Sequence, residues 1–412
     1  MHIELVTIGN ELLLGFTVDT NGAELARALS ALGVEIVRRT AVPDRSNDIA
    51  AAVADALRRT GAVLTTGGLG PTSDDVTKTA IAGLYGLPLD FDDTVWSDIV
   101  TRFARAQRLP SATNRGQAEV PRGATVLQNK WGTAPGLWLE SPIGLTIMLP
   151  GVPAEMRKLL EREVVPRLAA RASDTVVRSV LVRTTAIPES ALAEGMGEIE
   201  REIAPLTLAY LPGVEGVDLR VTAWGMASAE ADQRLRSAVD LLRQRAGEHV
   251  YGEGDTDLAA VVLERARRAG LTLGTAESCT GGLVGGRITD VPGSSDVFAG
   301  AVVCYSDRLK TTLLDVSPAL IAEHGAVSEP VARAMADGAR ARLGVDVAVS
   351  VTGIAGPAGG SEEKPVGTVW FAVASPGGTE ARRIMFLGSR KEIRERAAQT
   401  ALFLINRALL AD

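Results

Sequence analysis

Apolar runs of strand length alternate with amphipathic segments of helix length along the first part of the chain. This alternation predicts a mainly parallel sheet with helices on both faces. Ligands of such a sheet collect at the loops that leave the carboxyl ends of the strands. The predicted strands are 2–8, 34–37 and 62–66, with short strands or hairpins in 125–149, and the predicted helices are 21–32, 47–59, 76–85, 94–105 and 154–170.

The middle of the chain has a different order of elements. We predict, in order, strand 176–185, helix 189–202, strands 207–211 and 218–224, helix 229–246 and strand 249–251. This is the split β-α-β order of ferredoxin-like domains. Because the loops hold no cluster of catalytic side chains, we interpret this part as a spacer or an oligomerisation module. The glycine-rich, acidic segment 252–255 is the predicted linker to the next part.

The last part returns to the α/β pattern. The predicted strands are 271–274, 297–304, 346–351, 368–374 and 380–386, and the predicted helices are 258–269, a segment through Leu283 and Ile288, 307–314, 330–343 and 391–410. The sequence therefore predicts three domains: a three-layer α/β domain over 1–172, a ferredoxin-like α+β domain over 173–253 and a second α/β domain over 254–412.

Composition narrows the classes of function. The 412 residues include 43 Lys and Arg against 50 Asp and Glu, a net charge of −7 without any basic run, which argues against a broad nucleic-acid surface. The first residues do not resemble a signal peptide and no apolar stretch could span a bilayer, so we expect a cytoplasmic protein without a membrane partner. Two cysteines and three histidines without metal-binding spacing make a disulfide framework or a zinc site unexpected.

Two loops of the first domain carry candidate binding groups. In 65–75, Gly67, Gly68 and Gly70 allow backbone N–H groups to approach a phosphate, and Asp74 and Asp75 are oxygen ligands suited to a divalent cation. Glu11, in the loop 9–15, can complete such a set, and the pair of loops suits a pyrophosphate with its metal. The alternative is a glycine-rich turn whose acids only complement a helix dipole. Three further loops, 114–118, 129–136 and 149–153, form a second polar rim.

The segment 276–282, Ala-Glu-Ser-Cys-Thr-Gly-Gly, places a hydroxyl at a predicted strand-to-helix corner. Free N–H groups and the positive end of the helix dipole at such a corner favour an anion or an acyl group. The alternative is that Ser278 and Thr280 only cap the helix.

Loops 292–295, 305–310 and 352–357 are predicted to converge on Ser278. Because no histidine lies near these turns, Lys310 is the candidate base and Tyr305 a candidate proton relay. Both side chains could instead be structural, Lys310 as a solvated helix residue and Tyr305 as an edge packing residue. Cys279 is a second candidate nucleophile that ranks behind Ser278, because no histidine partner is evident.

These motifs carry a resemblance to a known family. The last domain resembles the nicotinamide mononucleotide amidase domain in segments 276–282, 292–295, 305–310, 325–329, 352–357 and 364–369. The first domain is similar to the molybdopterin-binding-like domain of CinA in segments 9–15, 65–75 and 149–153. The resemblance covers essentially the whole chain. One departure is Asp307, where the family usually has Asn; a carboxylate there would repel a phosphate.

The resemblance implies hydrolysis of nicotinamide mononucleotide to nicotinic acid mononucleotide and ammonia, and for some members an ADP-ribose pyrophosphatase in the first domain. It implies a homodimer and no cofactor for the amidase, with Mg²⁺ or Co²⁺ for the first domain. The catalytic residues carried over are Ser278, Lys310 and Tyr305, and the N–H groups of Gly281 and Gly282 are expected to stabilise the oxyanion. Expected substrate-binding residues are Thr280, Gly281, Gly282, Ser294, Ser295, Thr352, Gly353 and Gly356. In the first domain the phosphate-binding residues are Gly67, Gly68, Gly70, Thr72 and Asn114, and the metal ligands are Glu11, Asp74 and Asp75.

Overall fold

A computed structural model describes residues 1–171 and 175–411. The chain divides into two compact units. The first unit consists of Met1–Arg178 and Ala223–Gln233, and the second of Ser179–Thr222 and the chain from Arg234 onward. Among the described residues, no helix is long and apolar enough to cross a membrane.

The first unit contains eight strands and seven α-helices before residue 172. The strands are β1 (His2–Ile8), β2 (Glu35–Val42), β3 (Ala62–Thr66), β4 (Leu89–Phe91), β5 (Glu119–Pro121), β6 (Thr125–Leu127), β7 (Gly136–Ser141) and β8 (Gly144–Leu149). The helices are α1 (Asn10–Leu13), α2 (Thr20–Ala31), α3 (Ser46–Thr60), α4 (Thr77–Leu84), α5 (Asp93–Arg105), α6 (Pro153–Leu159) and α7 (Val165–Ala169). A π-helical turn, Leu160–Val164, joins α6 to α7, and Ala112–Ala118 is a 3-10 helix.

The main sheet of this unit has the order β2-β1-β3-β8-β7-β6. Strands β2, β1, β3 and β8 are parallel, and β7 and β6 are antiparallel additions. Two apolar clusters lie on the two faces, one built around Leu5 and Leu64 with α2 and α6, the other around Val6 and Val63 with α3 and α4. This confirms the predicted α/β fold with helices on both faces, because alternate residues of a strand point to opposite sides.

The middle part consists of β9 (Thr175–Thr184), α8 (Glu189–Met196), α9 (Ile199–Glu202), β10 (Thr207–Pro212), β11 (Val217–Ala227), α10 (Ser228–Ala246) and β12 (Val250–Glu253). A 3-10 helix, Gly247–His249, precedes β12. The sheet order is β10-β11-β9-β12, with β10 antiparallel to β11 and β12 antiparallel to β9. This is the ferredoxin-like order that the sequence predicts.

The last part of the second unit has strands β13 (Leu273–Glu277), β14 (Phe298–Val303), β15 (Val347–Gly353), β16 (Thr368–Ser375) and β17 (Gly378–Met385). Its helices are α11 (Leu258–Ala269), α12 (Leu283–Thr289), α13 (Asp307–Leu314), α14 (Pro318–His324), α15 (Glu329–Leu343) and α16 (Arg390–Ala411), with a 3-10 helix at Ser294–Asp296. Strand β13 lies between β14 and β15 and is parallel to both, while β15, β16 and β17 are antiparallel in turn.

The register of the three parallel strands fixes which loops meet. Glu277, the last residue of β13, lies opposite Val303 of β14 and Val351 of β15. The residues that follow, Ser278 and Cys304, therefore leave the same edge of the sheet. Helices α11 and α16 cover one face, and α15 covers the other. The site residues thus stand on a rigid edge between two helical layers.

Candidate functional site

Ser278 lies at the carboxyl edge of the sheet, directly after β13. Its N–H donates to Val351 O at 2.9 Å, and its carbonyl accepts the N–H of Gly281 at 3.1 Å, which closes a turn. The residue is 8% exposed. Its hydroxyl has no hydrogen-bond partner among residues 1–171 and 175–411, so it is not used as a helix cap and is available to a ligand.

The carboxylate of Glu277 occupies the amino end of α12. It accepts N–H groups from Gly282 at 2.9 Å, Val284 at 3.1 Å and Gly285 at 2.8 Å, and it is fully buried. A buried carboxylate at a helix amino end satisfies the free N–H groups and complements the dipole. The expectation that these groups face an arriving ligand is therefore wrong, because the chain supplies its own anion there. Sequence reasoning missed this role of Glu277.

The expected oxyanion donors must be corrected for the same reason. The N–H of Gly282 is bound to Glu277, and the N–H of Gly281 is bound to Ser278 O. Neither N–H group is free to bind a developing oxyanion. Both glycines instead serve the turn itself, since their φ angles of +61° and +93° lie in the left-handed region that other residues avoid.

The two cysteines are unsuited to act as nucleophiles. Burial raises the pKa of the Cys279 thiol to about 12 and that of the Cys304 thiol to about 11. A thiol is reactive as its thiolate, and neither side chain forms one near neutral pH. This leaves Ser278 as the candidate nucleophile of the corner.

Lys310 is buried on α13, close to the same edge. Its ammonium is 2% exposed and donates to Asp307 Oδ1 at 3.3 Å, its one hydrogen bond in the described structure. The ammonium also lowers the pKa of the Cys304 thiol, against the larger effect of burial. The N–H of Cys304 in turn donates to Glu277 O at 2.9 Å. Cys304 therefore links the surroundings of Lys310 to the residue that precedes Ser278. A buried cation with unused donors is a frequent sign of a functional site.

Tyr305 and Lys310 do not hydrogen-bond Ser278 in this structure. The hydroxyl of Tyr305 accepts an N–H from Arg390 Nη2 at 2.8 Å, and its ring is 58% exposed. Arg390 also donates to Gly356 O at 2.7 Å, which ties the loop after β14 to the loop after β15. The relay role of Tyr305 stays a prediction, since catalytic hydrogen bonds often form only with substrate.

The structure brings part of the predicted substrate-binding set to Ser278. Thr352 lies at the same sheet edge, with its hydroxyl donating to Ala326 O at 2.8 Å, and Gly353 ends β15 beside it. The hydroxyl of Thr280 is fully buried and has no partner in the described part of the chain. Gly356 has a φ of +78°, and a Cβ there would lie 2.6 Å from Val366. Contact of these groups with a substrate stays a prediction.

Ser294 and Ser295 lie elsewhere. They precede β14, and the parallel register pairs Leu273, the first residue of β13, with Phe298. Their loop is therefore at the amino edge of the sheet, separated from Ser278 by the length of β13, which is about 13 Å at the rise of a strand. The prediction that this loop converges on Ser278 is wrong, because the connection from β13 to β14 returns the chain to the opposite edge.

In the first unit, two glycines of the loop after β3 pack tightly against neighbouring residues, and their contact with a phosphate stays a prediction. A Cβ at Gly67 would lie 2.2 Å from Ile8 O, and one at Gly68 would lie 2.1 Å from Thr77 Oγ1; both glycines have positive φ. Gly70 lies over the carboxylate of Asp75, which accepts the N–H of Thr72 at 2.8 Å and its hydroxyl at 2.5 Å.

The predicted metal ligands of this unit are not gathered into one site. Among residues 1–171 and 175–411, no three acidic, histidine or cysteine side chains are grouped closely enough to hold a metal ion. Asp75 is engaged by Thr72, and the Glu11 carboxylate folds back over Gly9. The hydroxyl of Thr72 also holds the pKa of the Asp74 carboxyl below its usual range. Glu11, Asp74 and Asp75 as placed do not fit a preformed three-ligand site.

Sequence reasoning missed two side chains that join these loops. Asn21 Nδ2 donates to Thr66 Oγ1 at 3.1 Å and to Gly151 O at 2.8 Å, and its buried Oδ1 has no partner among the described residues. Lys78 is 5% exposed and donates to Gly116 O at 2.6 Å and Glu119 O at 2.8 Å. The signal for Asn21 was its place after Asp19, the residue that caps α2. No sequence signal marked Lys78 as buried.

Asn114, a predicted phosphate ligand, has a local structural role. Its Oδ1 accepts the N–H and the hydroxyl of Ser111, both at 2.9 Å, and its Nδ2 donates to Gln117. Asn114 thereby completes a capping box at the start of a 3-10 helix. Its contact with a phosphate stays a prediction.

Fold and site define a class: an α/β protein with a parallel-sheet loop site in its first unit and a strand-end serine near a buried lysine in its second. Comparison with protein families agrees. Residues 4–170 match the family described as "Probable molybdopterin binding domain", 179–252 match "Damage-inducible protein CinA KH domain", and 255–409 match "CinA C-terminal domain". The domain boundaries predicted from the sequence stay predictions.

Relatives match over the full length. A CinA-like protein of Gemmatimonas aurantiaca is 52% identical, covering 100% of this chain and 97% of that protein. A CinA-like protein of Parasynechococcus marenigrum is 43% identical, covering 100% and 99%. A crystal structure of the competence/damage inducible protein CihA from Agrobacterium tumefaciens, 41% identical, covers 37% of this chain and 93% of that chain, with a TM-score of 0.36. The chain belongs to the family of CinA-like proteins.

Proposed function

We propose that the last domain hydrolyses the carboxamide of nicotinamide mononucleotide to give nicotinic acid mononucleotide and ammonia. The observation that carries the proposal is a pair of polar groups near one sheet edge that form few hydrogen bonds. The hydroxyl of Ser278 has no partner among the described residues, and the buried ammonium of Lys310 has one, at 3.3 Å. Burying an ammonium with so few hydrogen bonds costs stability, which a catalytic role explains.

In the proposed reaction, Ser278 Oγ adds to the carboxamide carbon while its proton passes to the unprotonated amine of Lys310. The tetrahedral intermediate collapses, and the proton returns from Lys310 to the departing nitrogen, which leaves as ammonia. Water then hydrolyses the Ser278 ester to release the acid and restore the hydroxyl. The buried thiols take no part, because their raised pKa values keep them protonated.

The test is ammonia release from nicotinamide mononucleotide by the full chain, measured beside free nicotinamide and nicotinamide riboside. The proposal expects turnover of the mononucleotide and far less of the two compounds that lack the phosphate. Equal rates with all three would contradict a mononucleotide substrate, and no ammonia from any of them would overturn the reaction itself.

For the first unit we propose binding of a nucleotide with a pyrophosphate group, such as ADP-ribose, at the loops after β1, β3 and β8. Several contacts support it. Asn21 joins Thr66 to Gly151, its buried Oδ1 has no partner among the described residues, and all three residues line a pocket of about 110 Å³ together with Glu11. The N–H of Gly67 is bound to Leu149 O at 3.0 Å, so Gly67 shapes the loop and its N–H is not free for a phosphate.

Binding and hydrolysis are separable in this unit. Titration calorimetry of ADP-ribose into the full chain measures binding, and AMP release with Mg²⁺ or Co²⁺ measures pyrophosphatase activity. AMP release with either cation supports the metal-dependent hydrolase, while binding without AMP supports a non-catalytic nucleotide or pterin module. The absence of both would contradict the proposal for this unit.

An accessory role through DNA is a third candidate from another class of function. The net charge of −7 gives no broad basic surface for a phosphate backbone. Salt-dependent DNA binding near physiological ionic strength would revive it.

A further inference from the structure

Two backbone N–H groups of the Ser278 turn have no oxygen acceptor among the described residues. Ser278 N donates to Val351 O, Gly281 N to Ser278 O and Gly282 N to Glu277. The N–H groups of Cys279 and Thr280, which lie between these, reach no oxygen in the part of the chain that the structure describes. They approach only the buried thiol of Cys279, whose pKa they lower against the larger effect of burial. A neutral thiol is a weak acceptor, so both donors stay available.

Arg394, on α16, holds the other side of the same turn. Its Nε donates to Cys279 O at 3.0 Å and its Nη2 to Thr280 O at 2.8 Å, so one guanidinium fixes two successive carbonyls. The planar fork of arginine suits such a two-point contact, and the flexible ammonium of lysine does not reproduce it. The guanidinium also leaves little space at Gly281, where a Cβ would lie 3.2 Å from Nη2.

The direction of the free N–H groups follows from peptide geometry. In a trans peptide the C=O and the N–H point in opposite directions. Because Arg394 binds the carbonyls of Cys279 and Thr280, the N–H groups of Thr280 and Gly281 point away from Arg394. The N–H of Gly281 reaches Ser278 O. The side opposite Arg394 is therefore the side of the Ser278 carbonyl, and the N–H of Thr280 points to that side.

We propose that the N–H group of Thr280 binds the oxyanion of the amidase reaction, and that Arg394 is the positioning residue that holds its peptide through Cys279 O. The inference rests on the proposed amidase function. When Ser278 Oγ bonds to the carboxamide carbon, the electron pair of the C=O bond moves to its oxygen, and the Ser278 proton moves to Lys310. The negative oxygen accepts the N–H of Thr280 until the C–N bond breaks and the C=O bond reforms. Arg394 touches neither substrate nor reacting atoms, and its positive charge polarises the peptide whose N–H binds the oxyanion.

The test compares Arg394→Met and Arg394→Lys with a matched arginine on the same helix. Arg396 donates to a backbone carbonyl too, Leu387 O at 2.9 Å, and forms no hydrogen bond with the turn among the described residues. The measurements are kcat and KM for ammonia release from nicotinamide mononucleotide, the pH profile, and the thermal midpoint of each variant.

The proposal expects Arg394→Met to lower kcat by about 10²-fold or more, the cost of losing one oxyanion donor, with KM and pH profile nearly unchanged. Arg394→Lys recovers part of the rate, and Arg396→Met retains it. The proposal would be overturned if folded Arg394→Met kept the wild-type kcat, whether or not its KM rose. If the Met variant does not fold, the same criteria apply to Arg394→Lys.

Ser278→Ala in the same assay separates the two proposals. Loss of activity in Ser278→Ala with full activity in the Arg394 variants refutes the positioning role alone. Activity that survives Ser278→Ala refutes the amidase mechanism itself, and the Arg394 inference with it.

Discussion

Lys310 Nζ lies 3.3 Å from Asp307 Oδ1, across one turn of α13. The side chain of Lys310 is 2% exposed, and that of Asp307 is 59% exposed. A buried cation is therefore paired with a solvent-facing anion. The carboxylate of Asp307 places a negative charge beside the lysine that we propose as the base of the amidase reaction.

We predict that Asp307→Asn lowers KM for nicotinamide mononucleotide. The substitution removes a negative charge that would repel the phosphate of the substrate. The measurement is KM and kcat for ammonia release by Asp307→Asn and by the wild type at low and at high ionic strength, because salt screens such a repulsion. An unchanged KM at low ionic strength would contradict a place for Asp307 near the phosphate.

Glu277→Gln is expected to destabilise the domain and to lower amidase activity. The buried carboxylate accepts three N–H groups at the start of α12, whereas an amide must turn its own NH₂ toward some of them. Loss of satisfied buried hydrogen bonds predicts a loss of about 1–3 kcal/mol in the free energy of unfolding. Urea denaturation measures it. The control is Glu392→Gln, which alters an exposed capping contact with Ser389 and should cost less. Equal losses in both variants would contradict the account of the corner.

Because Lys78 is buried, we predict that the free energy of unfolding of the first unit depends on pH. Burial lowers its pKa to about 8 from 10.5, so between these values the unfolded chain binds the proton and the folded chain does not. Stability contributed at this position therefore rises as the pH increases from about 8 to about 10.5. The free energy of unfolding of the wild type minus that of Lys78→Met should grow over this range, by at most roughly 3 kcal/mol. Urea denaturation at several pH values measures the difference. Lys158→Met, at an exposed lysine, is the control, and a difference that stays flat for Lys78→Met would be inconsistent with its burial.

Chelation should separate the two proposed activities. In the proposed amidase reaction, Ser278 is the nucleophile and Lys310 transfers the proton. Since neither role needs a metal ion, excess chelator is expected to leave ammonia release nearly intact. AMP release from ADP-ribose, if the first unit hydrolyses it, should stop under the same conditions and return with Mg²⁺ or Co²⁺. Both assays are run on one preparation of the full chain. Ammonia release that disappears with chelator and returns with metal would count against the serine mechanism.

Much of the fold could be predicted from apolar periodicity. Helix α11 and strands β1 and β3 have the predicted bounds, and the ferredoxin-like order of the middle part is confirmed. Short elements were missed, because a segment of a few residues is too short to show a hydrophobic period. Helix α14, seven residues that begin at a proline, is one of them.

The site was predicted less completely, for physical reasons. A hydroxyl after an apolar strand identifies the Ser278 corner, but sequence does not say which anion occupies the end of α12, and here it is Glu277. The loop with Ser294 and Ser295 has a polar, glycine-containing composition like that of a binding loop, yet chain reversal places it at the other edge of the sheet. Arg394 lies more than a hundred residues from the turn that it holds, beyond the reach of any local pattern.

The most direct measurement of the central claim is ammonia release from nicotinamide mononucleotide by Ser278→Ala, with Ser375→Ala as the matched control at a turn between β16 and β17. We predict that Ser278→Ala loses about 10³-fold or more of the wild-type kcat, as loss of a nucleophile does, with an unchanged thermal midpoint, while Ser375→Ala keeps the wild-type rate. Near-normal ammonia release by Ser278→Ala would contradict the assignment of Ser278 as the nucleophile.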